Sequence, residues 1–332
     1  MTGFIIRRLV SALLVVILTS ILVFVLFFKG LGNAPALQLC DRNGRCNPAK
    51  LAALEQQMGL DKSVVTNYGE WAKGIFVGRT IEQGGTYDCH APCLGISFVT
   101  SDQITDDLKQ KYPATITLAV GGAAIELLIG ITLGAMAARW RGTSADRLLV
   151  GSTLVVSSIP YYLVALFAWI YLTLQLRIFP ETNYFPITEN PLKTIAYMML
   201  PWLCIGVTAS TGYARFTRGQ MVETLNEDYI RTAQSKGVRT NRILFKHALR
   251  AAIVPVVTIF GLDFAALLAG TVFTEVIFGI DGIGQWGLQA IRTPLDFPVI
   301  STVAVVGAVL IVIANLVVDI LYSFLDPRVS VS

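Results

Sequence analysis

The chain has 332 residues, of which 54% are hydrophobic and only 14% are charged, and its mean hydropathy is +0.63. The apolar residues run in long blocks and do not follow the short periods of a soluble core. The composition therefore excludes an ordinary soluble domain and indicates a membrane protein. The net charge of +4 says little by itself, but the positions of the charges are informative.

Six apolar blocks are long enough to cross a bilayer, because a spanning helix needs about 20 mostly apolar residues. They lie at residues 9–28, 114–138, 148–176, 194–214, 251–274 and 299–325. Only helices satisfy the backbone of such segments in lipid, so the sequence predicts an all-α polytopic membrane protein with six transmembrane helices. Arg7 and Arg8 precede the first block as in a signal peptide, but the block is longer than a typical signal-peptide core, so we expect a retained helix.

Basic residues of the short loops fall on one side of this topology. They are Arg7, Arg8, Arg139, Arg141, Arg147 and the run after the fourth block. The positive-inside bias therefore predicts that both termini are cytoplasmic. The segments left outside are 29–113, 177–193 and 275–298. At the end of the first of these, in SDQITDDLKQKYP, Ser101 is predicted to cap a short surface helix that leads into the second span.

Residues 29–113 are predicted to form a small extracytoplasmic subdomain after the first helix. It contains four of the five cysteines: Cys40, Cys46, Cys89 and Cys93. An even number in an oxidising compartment predicts two disulfides, with three pairings open. A zinc site that includes His90 is the alternative, but the spacings C-x5-C and C-x3-C match no standard zinc pattern, so disulfides are favoured. Cys204, inside the fourth block, is expected to be an inert core residue.

A dense basic run, DYIRTAQSKGVRTNRILFKHALR at residues 228–250, interrupts the apolar chain. Thr224 and Glu227 fit a T-x-x-E capping box, and Gly237 supplies a left-handed residue that closes a helix, so a helix is predicted over 225–236. Thr240 is predicted to cap a second helix that continues into the fifth span. Such structure in a loop favours docking to another protein, while attachment to anionic lipid remains the alternative.

The extended segment DYIRTAQSKGVRTNRILFKHALRAAIVP resembles the cytoplasmic coupling loop of binding-protein-dependent ABC importer permeases, in their dipeptide/oligopeptide branch. MGLDKSVVTNYGEW, KYPATITLA, GTVFTEVIFGIDGIGQW and NLVVDILYSFLDPR resemble further segments of that branch, so the resemblance covers nearly the whole chain. The general permease loop begins E-A-A, whereas this chain has Arg231, Thr232 and Ala233, as the peptide branch does. The four outer cysteines are not part of the family pattern.

The resemblance implies a division of the chain into a cytoplasmic N-terminus with the first helix, an extracytoplasmic subdomain, a permease core and a cytoplasmic tail. These are residues 1–28, 29–113, 114–325 and 326–332, with the coupling loop at 215–250. It also implies contact with an ATPase through a set of loop residues. They are Asp228, Tyr229, Ile230, Arg231, Thr232, Ala233, Ser235, Lys236 and Gly237. Within that helix, Tyr229, Ile230 and Ala233 lie near one face and are expected to supply its apolar contact.

The resemblance further implies a pair of permeases, expected to be a heterodimer, with two cytoplasmic ATPase subunits and an extracytoplasmic solute-binding protein in a bacterial plasma membrane. The chain has no G-x-x-x-x-G-K-[ST] loop, so ATP and Mg²⁺ are expected on the partner subunits and no cofactor or metal on this chain. We expect a transport subunit that is not an enzyme and binds no nucleic acid.

Acidic residues within the spans are candidates for function, because a charge in lipid is costly. For Glu126 and Asp263, the sequence supports two roles equally: lining the transport pathway, or pairing with another residue inside the helix bundle. Asp319 is expected to pair with a basic residue such as Arg328.

A candidate outer gate, or landing site for the binding protein, follows the fifth span. It comprises Glu275 and the glycines Gly279, Gly282 and Gly284, which permit a non-helical backbone.

The predicted function is import of di- or oligopeptides, with this chain forming half of the pathway. Two alternatives stay open: a gradient-driven secondary transporter, which broken helices and intramembrane acids suit, and the same permease role for a nickel complex, haem or glutathione. An intramembrane hydrolase is disfavoured, since there is no H-E-x-x-H and both histidines, His90 and His247, lie outside the spans.

Overall fold

The computed structural model describes residues 2–26, 30, 34–40, 47–82, 86–269, 271–292 and 294–325. The helices are α1 (Thr2–Val25), α2 (Ala34–Cys40), α3 (Pro48–Gln57), α4 (Val64–Val77), α5 (Ile104–Arg139), α6 (Ser144–Ser158), α7 (Tyr161–Ala168), α8 (Pro191–Leu225), α9 (Asp228–Ser235), α10 (Thr240–Arg242), α11 (Leu249–Ala269), α12 (Val272–Phe278), α13 (Ile283–Ile291) and α14 (Phe297–Leu325). Two π-helical segments, Trp169–Gln175 and Ile243–Ala248, continue α7 and join α10 to α11. Strands β1 (Arg79–Glu82) and β2 (Thr86–Cys89) pair antiparallel, with Arg79 opposite Cys89.

The membrane-spanning helices agree closely with the hydropathy blocks. Within the described ranges, five helices are long and apolar enough to cross a membrane: Ile6–Val25, Ile104–Arg139, Pro191–Leu225, Thr240–Ala269 and Phe297–Val317. The remaining block is a bent pair, Ser144–Ser158 and Tyr161–Gln175, which meet at 90°. The prediction of an all-α polytopic membrane protein is confirmed, and the β1–β2 hairpin is a small addition to it.

The 90° bend has a local cause at Pro160. Ile159, the residue before it, has an extended backbone with φ −89° and ψ 125°. A residue that precedes proline is pushed out of the α region, so α6 ends at Ser158 and α7 begins after the proline.

Close contacts divide the chain into two compact units, Met1–Thr115 with Asp281–Ile313, and Ile116–Ile280 with Ala314–Ser332. In the first unit, Asn47 caps α3 by accepting from the Ala49 N–H, and Ser63 caps α4 by accepting from the Thr66 N–H. An aromatic cluster forms its core, with the Phe24 ring 5.0 Å from Trp71 and 5.4 Å from Phe297.

The predicted disulfides are confirmed as far as the described residues reach. Cys89 and Cys93 are bonded to each other and are both buried. Cys40 is also disulfide-bonded, whereas Cys46 lies outside the described residues. Cys204 is a buried free thiol inside α8, as expected.

The second unit is built around α8, which packs against α6, α7 and α11. Glycines on α5 let that helix approach α8 closely. A Cβ atom at Gly122 would lie 2.8 Å from Cγ2 of Ile205, and one at Gly121 would overlap the Trp202 indole. These two glycines therefore serve helix packing.

One local prediction fails at the start of α5. A capped surface helix was expected before the second span, with Ser101 at its cap, but α5 begins at Ile104 and continues unbroken to Arg139 with Pro113 inside it. Ser101 lies before the helix, in the left-handed region with φ 66°.

Candidate functional site

A cavity of about 950 Å³ lies inside the second unit. Its walls come from α5, the α6–α7 bend, α8, α11 and α12. Both acids left undecided by the sequence, Glu126 on α5 and Asp263 on α11, line this cavity. No Lys, Arg or His of the described residues is among its lining side chains. The cavity is therefore a predominantly apolar space with two carboxylates and no basic side chain.

Asp263 has a protein partner in this cavity. The Tyr213 hydroxyl donates a 2.6 Å hydrogen bond to Oδ2 of Asp263, which links α8 to α11. Tyr213 is itself buried, and a buried tyrosine hydroxyl normally requires such a partner. This contact orients the carboxylate, while the Asp263 residue remains exposed in the isolated chain.

Glu126 differs from Asp263 in having no such partner. The residue is 2% exposed, and its carboxylate makes no hydrogen bond or ion pair with any residue that the structure describes. Buried polar groups in proteins are nearly always hydrogen-bonded, so an unpaired carboxylate facing a cavity is a candidate ligand-binding group.

The α6–α7 bend and α12 meet at the edge of the same cavity. The hydroxyls of Tyr161 and Thr274 are 2.5 Å apart and share a hydrogen bond, and both residues line the cavity. Glu275, the next residue, is fully buried and accepts a 3.2 Å hydrogen bond from the Thr271 hydroxyl. Glu275 is not among the cavity-lining residues, and its predicted role at an outer gate stays a prediction.

The three glycines of the predicted gate differ in conformation. Gly279 closes α12 with a left-handed φ of 65°, and Gly282 precedes α13 with an extended backbone. Gly284 lies inside α13, so the expectation of a non-helical backbone is wrong there. Ile283 and Trp286, which lie on either side of it in the helix, are buried.

The predicted coupling loop is structured, but its first helix begins later than expected. Thr224 is part of the last turn of α8, where its hydroxyl donates to the Gln220 carbonyl at 2.8 Å, so the predicted capping box is wrong. Val222 and Leu225 pack against a buried cluster that contains Met221 and Leu244, and this packing holds α8 helical to Leu225. Helix α9 then starts at Asp228.

Helix α9 presents its residues differently from the prediction. Ile230 is fully buried and is the one buried residue of this helix, whereas Tyr229 is 48% exposed and Ala233 is partly buried. The helix packs against the Ile243–Ala248 turn of the same chain. Ile230 therefore anchors α9 to its own chain, and the expectation that it supplies apolar contact to a partner is wrong.

The other predicted coupling residues remain accessible. They are Asp228, Arg231, Thr232, Ser235, Lys236 and Gly237. Arg231 lies 3.4 Å from Asp228 in an exposed ion pair. Gly237 has the predicted left-handed backbone with φ 72°. The prediction that Thr240 caps the second helix is wrong, because Thr240 is the first residue of α10 and Arg239 is its cap residue. From Thr240 the helix continues to Ala269, as predicted.

Sequence reasoning missed an ion pair at the start of this loop. Arg218 near the end of α8 contacts Asp146 in the first turn of α6, with N···O distances of 2.6 and 2.7 Å. The pattern that could have found it is an arginine that lies four residues beyond the predicted fourth span and an aspartate that lies two residues before the third. Tyr213 was also missed, although a tyrosine deep in a span signals a need for a hydrogen-bond partner.

Asp319 and Arg328 were predicted to form a pair near the end of the chain. Arg328 and the Asp319 side chain lie outside the described residues.

Comparison with known proteins assigns the chain to a family. Residues 130–331 match the family described as binding-protein-dependent transport system inner membrane component, and residues 1–119 match the N-terminal family of such membrane components. A putative peptide transport system permease protein of Brucella abortus (strain 2308) is 33% identical over 329 residues, with 99% of each chain covered.

Two further comparisons agree in sequence and in fold. The dipeptide transport system permease protein DppB of Escherichia coli (strain K12) is 30% identical over 358 residues, again with 99% of each chain covered. A solved structure of the MetNI methionine ABC transporter in an inward-facing conformation has a TM-score of 0.56 at 16% identity, covering 67% of this chain and 97% of that one. At that identity the structural likeness concerns the fold alone.

Proposed function

Because the chain belongs to the family of binding-protein-dependent transport system inner membrane components, we propose that it is the permease subunit of an ATP-driven ABC importer for di- or oligopeptides. The observation that carries this proposal is the end-to-end match to peptide permeases, which covers 99% of this chain. The subunit crosses the inner membrane several times and is not an enzyme. It works with ATPase subunits and a solute-binding protein.

Several finer features of the assembly are part of the proposal. A second, different permease completes the pathway, two ATPase subunits bind ATP and Mg²⁺, and both termini of this chain are cytoplasmic. Support for the orientation comes from the arginines of the short loops, Arg139, Arg141 and Arg147 among them, which fall on one side of the topology.

Coupling to the ATPase runs through the exposed surface of α9. Tyr229 offers an exposed aromatic ring for contact with the ATPase. Arg231 and Lys236 place charges at the edge of this surface, where charges orient the partner more than they raise its affinity. Ile230 is fully buried, and α9 packs against the Ile243–Ala248 segment, which leads directly into the fifth span. A displacement of α9 is therefore passed to α11 through packed side chains.

The outer gate is proposed to lie in the segment from Glu275 to Gly284. Gly279 ends α12 with a left-handed backbone, and Thr274 joins α12 to the α6–α7 bend through Tyr161.

The comparisons do not favour the gradient-driven alternative, since the matching family is binding-protein-dependent. Import of a nickel complex, haem or glutathione by the same machinery has no observation in its favour.

The test is uptake of labelled di- and oligopeptides into proteoliposomes that contain this chain, its partner permease and ATPases, with loaded binding protein outside. We expect uptake that requires ATP and the binding protein. Uptake that continues after the ATPases are omitted would contradict the proposal.

A further inference from the structure

The cavity in the second unit has an unbalanced charge. Glu126 and Asp263 both line it, and no basic side chain of the described residues accompanies them. Two carboxylates that line one cavity repel each other, and a cation bound there relieves that repulsion. The charge pattern therefore favours a positively charged occupant.

The hydrogen bonding indicates how such an occupant would be held. Asp263 is oriented by the 2.6 Å bond from Tyr213, which leaves its second carboxylate oxygen available. Glu126 is 2% exposed and has no partner among the described residues, so its oxygens are free to accept. An ammonium group has three hydrogen-bond donors, so it can donate to more than one carboxylate oxygen.

The size and walls of the cavity fit an organic cation better than a metal ion. At about 950 Å³ it lies within the range of pockets that enclose small organic molecules. Ile159, Phe216, Ile259 and Phe273 provide apolar surface that does not discriminate among side chains. No group of three or more His, Cys, Asp or Glu residues that could bind a metal occurs in the described part of the chain.

We propose that Glu126 and Asp263 bind the protonated amino terminus of the transported peptide inside the permease. The inference rests on the proposed function, because it takes a peptide as the substrate. The amino terminus is the cation that unmodified peptides share, while their side chains vary. Binding it at fixed carboxylates and leaving the side chains against apolar walls gives selectivity for a free amino group without selectivity for sequence.

The experiment measures peptide binding to the complete permease and ATPase complex in nanodiscs, without the solute-binding protein, so that selection by that protein does not enter. Equilibrium dialysis compares labelled Ala-Ala-Ala with its N-acetylated form, which has the same length but no amino charge. The variants are Glu126→Gln and Asp263→Asn, each close to its parent in shape. Glu181→Gln, at an exposed acid outside the cavity, is the matched control.

The native complex is expected to bind the free peptide more tightly than the acetylated one. Each cavity variant should weaken binding of the free peptide about tenfold or more, since a charge-assisted hydrogen bond is lost, and leave the acetylated peptide unchanged. The Glu181→Gln complex should bind both peptides as tightly as the native complex does. Having two cavity variants keeps the test decisive if one of them does not assemble.

Three results would overturn the inference: equal binding of both peptides by the native complex, equal weakening of both by the variants, or no measurable binding of either. The same complexes, supplied with loaded binding protein, report ATP-dependent uptake separately. If uptake is normal but the amino group is not recognised, the cavity inference fails and the importer function stands. If no peptide is taken up, the proposed function itself fails.

Discussion

Arg218 and Asp146 form a two-pronged ion pair, in which Nε and Nη2 of the guanidinium lie 2.6 and 2.7 Å from the two carboxylate oxygens. The Asp146 side chain is only 5% exposed and also accepts a 2.9 Å hydrogen bond from the backbone N–H of Gly142. The pair therefore fixes the short loop between α5 and α6 onto the last turns of α8. Those turns lead directly into α9.

Replacing Arg218 with Gln should lower the free energy of unfolding by about 1–3 kcal/mol, because a buried carboxylate loses its charged partner. Arg218→Lys should recover only part of this, since a single ammonium cannot make two parallel bonds to a carboxylate. Thermal unfolding in detergent measures both. Arg215→Gln is the matched control, one turn earlier on α8 and exposed. Equal losses for the two Gln variants would contradict the role of the pair.

Tyr229 and Ile230 are neighbours in α9, but the first is exposed and the second is buried. Their alanine variants should therefore distinguish contact with the ATPase from packing of α9 within its own chain. Tyr229→Ala should weaken co-purification of the ATPase subunits severalfold and leave thermal stability nearly unchanged, because the ring is 48% exposed. Ile230→Ala should cost about 2–5 kcal/mol of local stability, because the side chain is fully buried.

The two measurements are ATPase retention on an affinity-tagged permease and thermal unfolding of the purified permease. Gln234→Ala, at an exposed position of the same helix outside the predicted contact set, should change neither strongly. Loss of stability in Tyr229→Ala, or full retention of the ATPase by that variant, would be inconsistent with the proposed contact.

The backbone conformation of Gly237 should be required for coupling to the ATPase. Its φ is 72°, which proline cannot adopt, and its N–H donates to the Gln234 carbonyl at 2.9 Å, a bond that proline also removes. Gly237→Pro should therefore abolish most ATP-dependent uptake while the spanning helices still fold. Gly237→Asn retains the N–H and tolerates the left-handed region, so it should retain most uptake. Equal uptake by the two variants would show that this conformation does not matter.

The sequence predicted the spans well because each rests on a strong requirement, namely about 20 apolar residues in lipid. It predicted the left-handed backbone of Gly237 for the same kind of reason, since glycine acts on its own backbone. The failures at Thr224 and Ser101 are different. Both residues fit a local capping pattern, but packing of Leu225 kept α8 helical through Thr224, and α5 began beyond Ser101.

The cavity was only partly predictable for a related reason. Because a charge in lipid is costly, the sequence identified Glu126 and Asp263 as candidates. It did not show that Asp263 has a hydrogen-bond partner and that Glu126 has none among the described residues. The partner, Tyr213, lies 50 residues from Asp263 in the chain, and no local pattern connects them. Ile230 is a further example: in the sequence it is one apolar residue of a short amphipathic helix, and its burial follows only from the position of the π-helical segment Ile243–Ala248.

The bond between Cys89 and Cys93 should stabilise the first unit. It closes a short loop, and a cross-link of that length restricts the unfolded chain by about 2 kcal/mol in the chain-entropy treatment. The double variant Cys89→Ser and Cys93→Ser should therefore unfold at lower temperature than the native protein. Cys204→Ser, which removes the free thiol in α8, is the control. An unchanged unfolding temperature in the double variant would mean that the bond contributes nothing to stability.

Asp296, next to the start of α14, should make the stability of the first unit depend on pH. Burial raises the pKa of this carboxyl, and hydrogen bonds from the Ser97 hydroxyl and the Phe98 N–H offset part of that effect. Because the folded pKa is above the unfolded one, the folded state binds the proton more tightly. Its contribution to stability is therefore largest at low pH and falls as pH rises through the raised pKa.

Asp296→Asn should remove this dependence, since the amide does not titrate. The difference in unfolding temperature, native minus Asn variant, should decrease as pH rises from about 4 to about 7, the range above the ordinary aspartate pKa. Asp102→Asn, at an exposed aspartate of the same unit, controls for loss of one negative charge. If the unfolding temperatures of the native protein and the Asp296 variant changed in parallel with pH, the raised pKa would be contradicted. The folded and unfolded states would then bind this proton equally tightly.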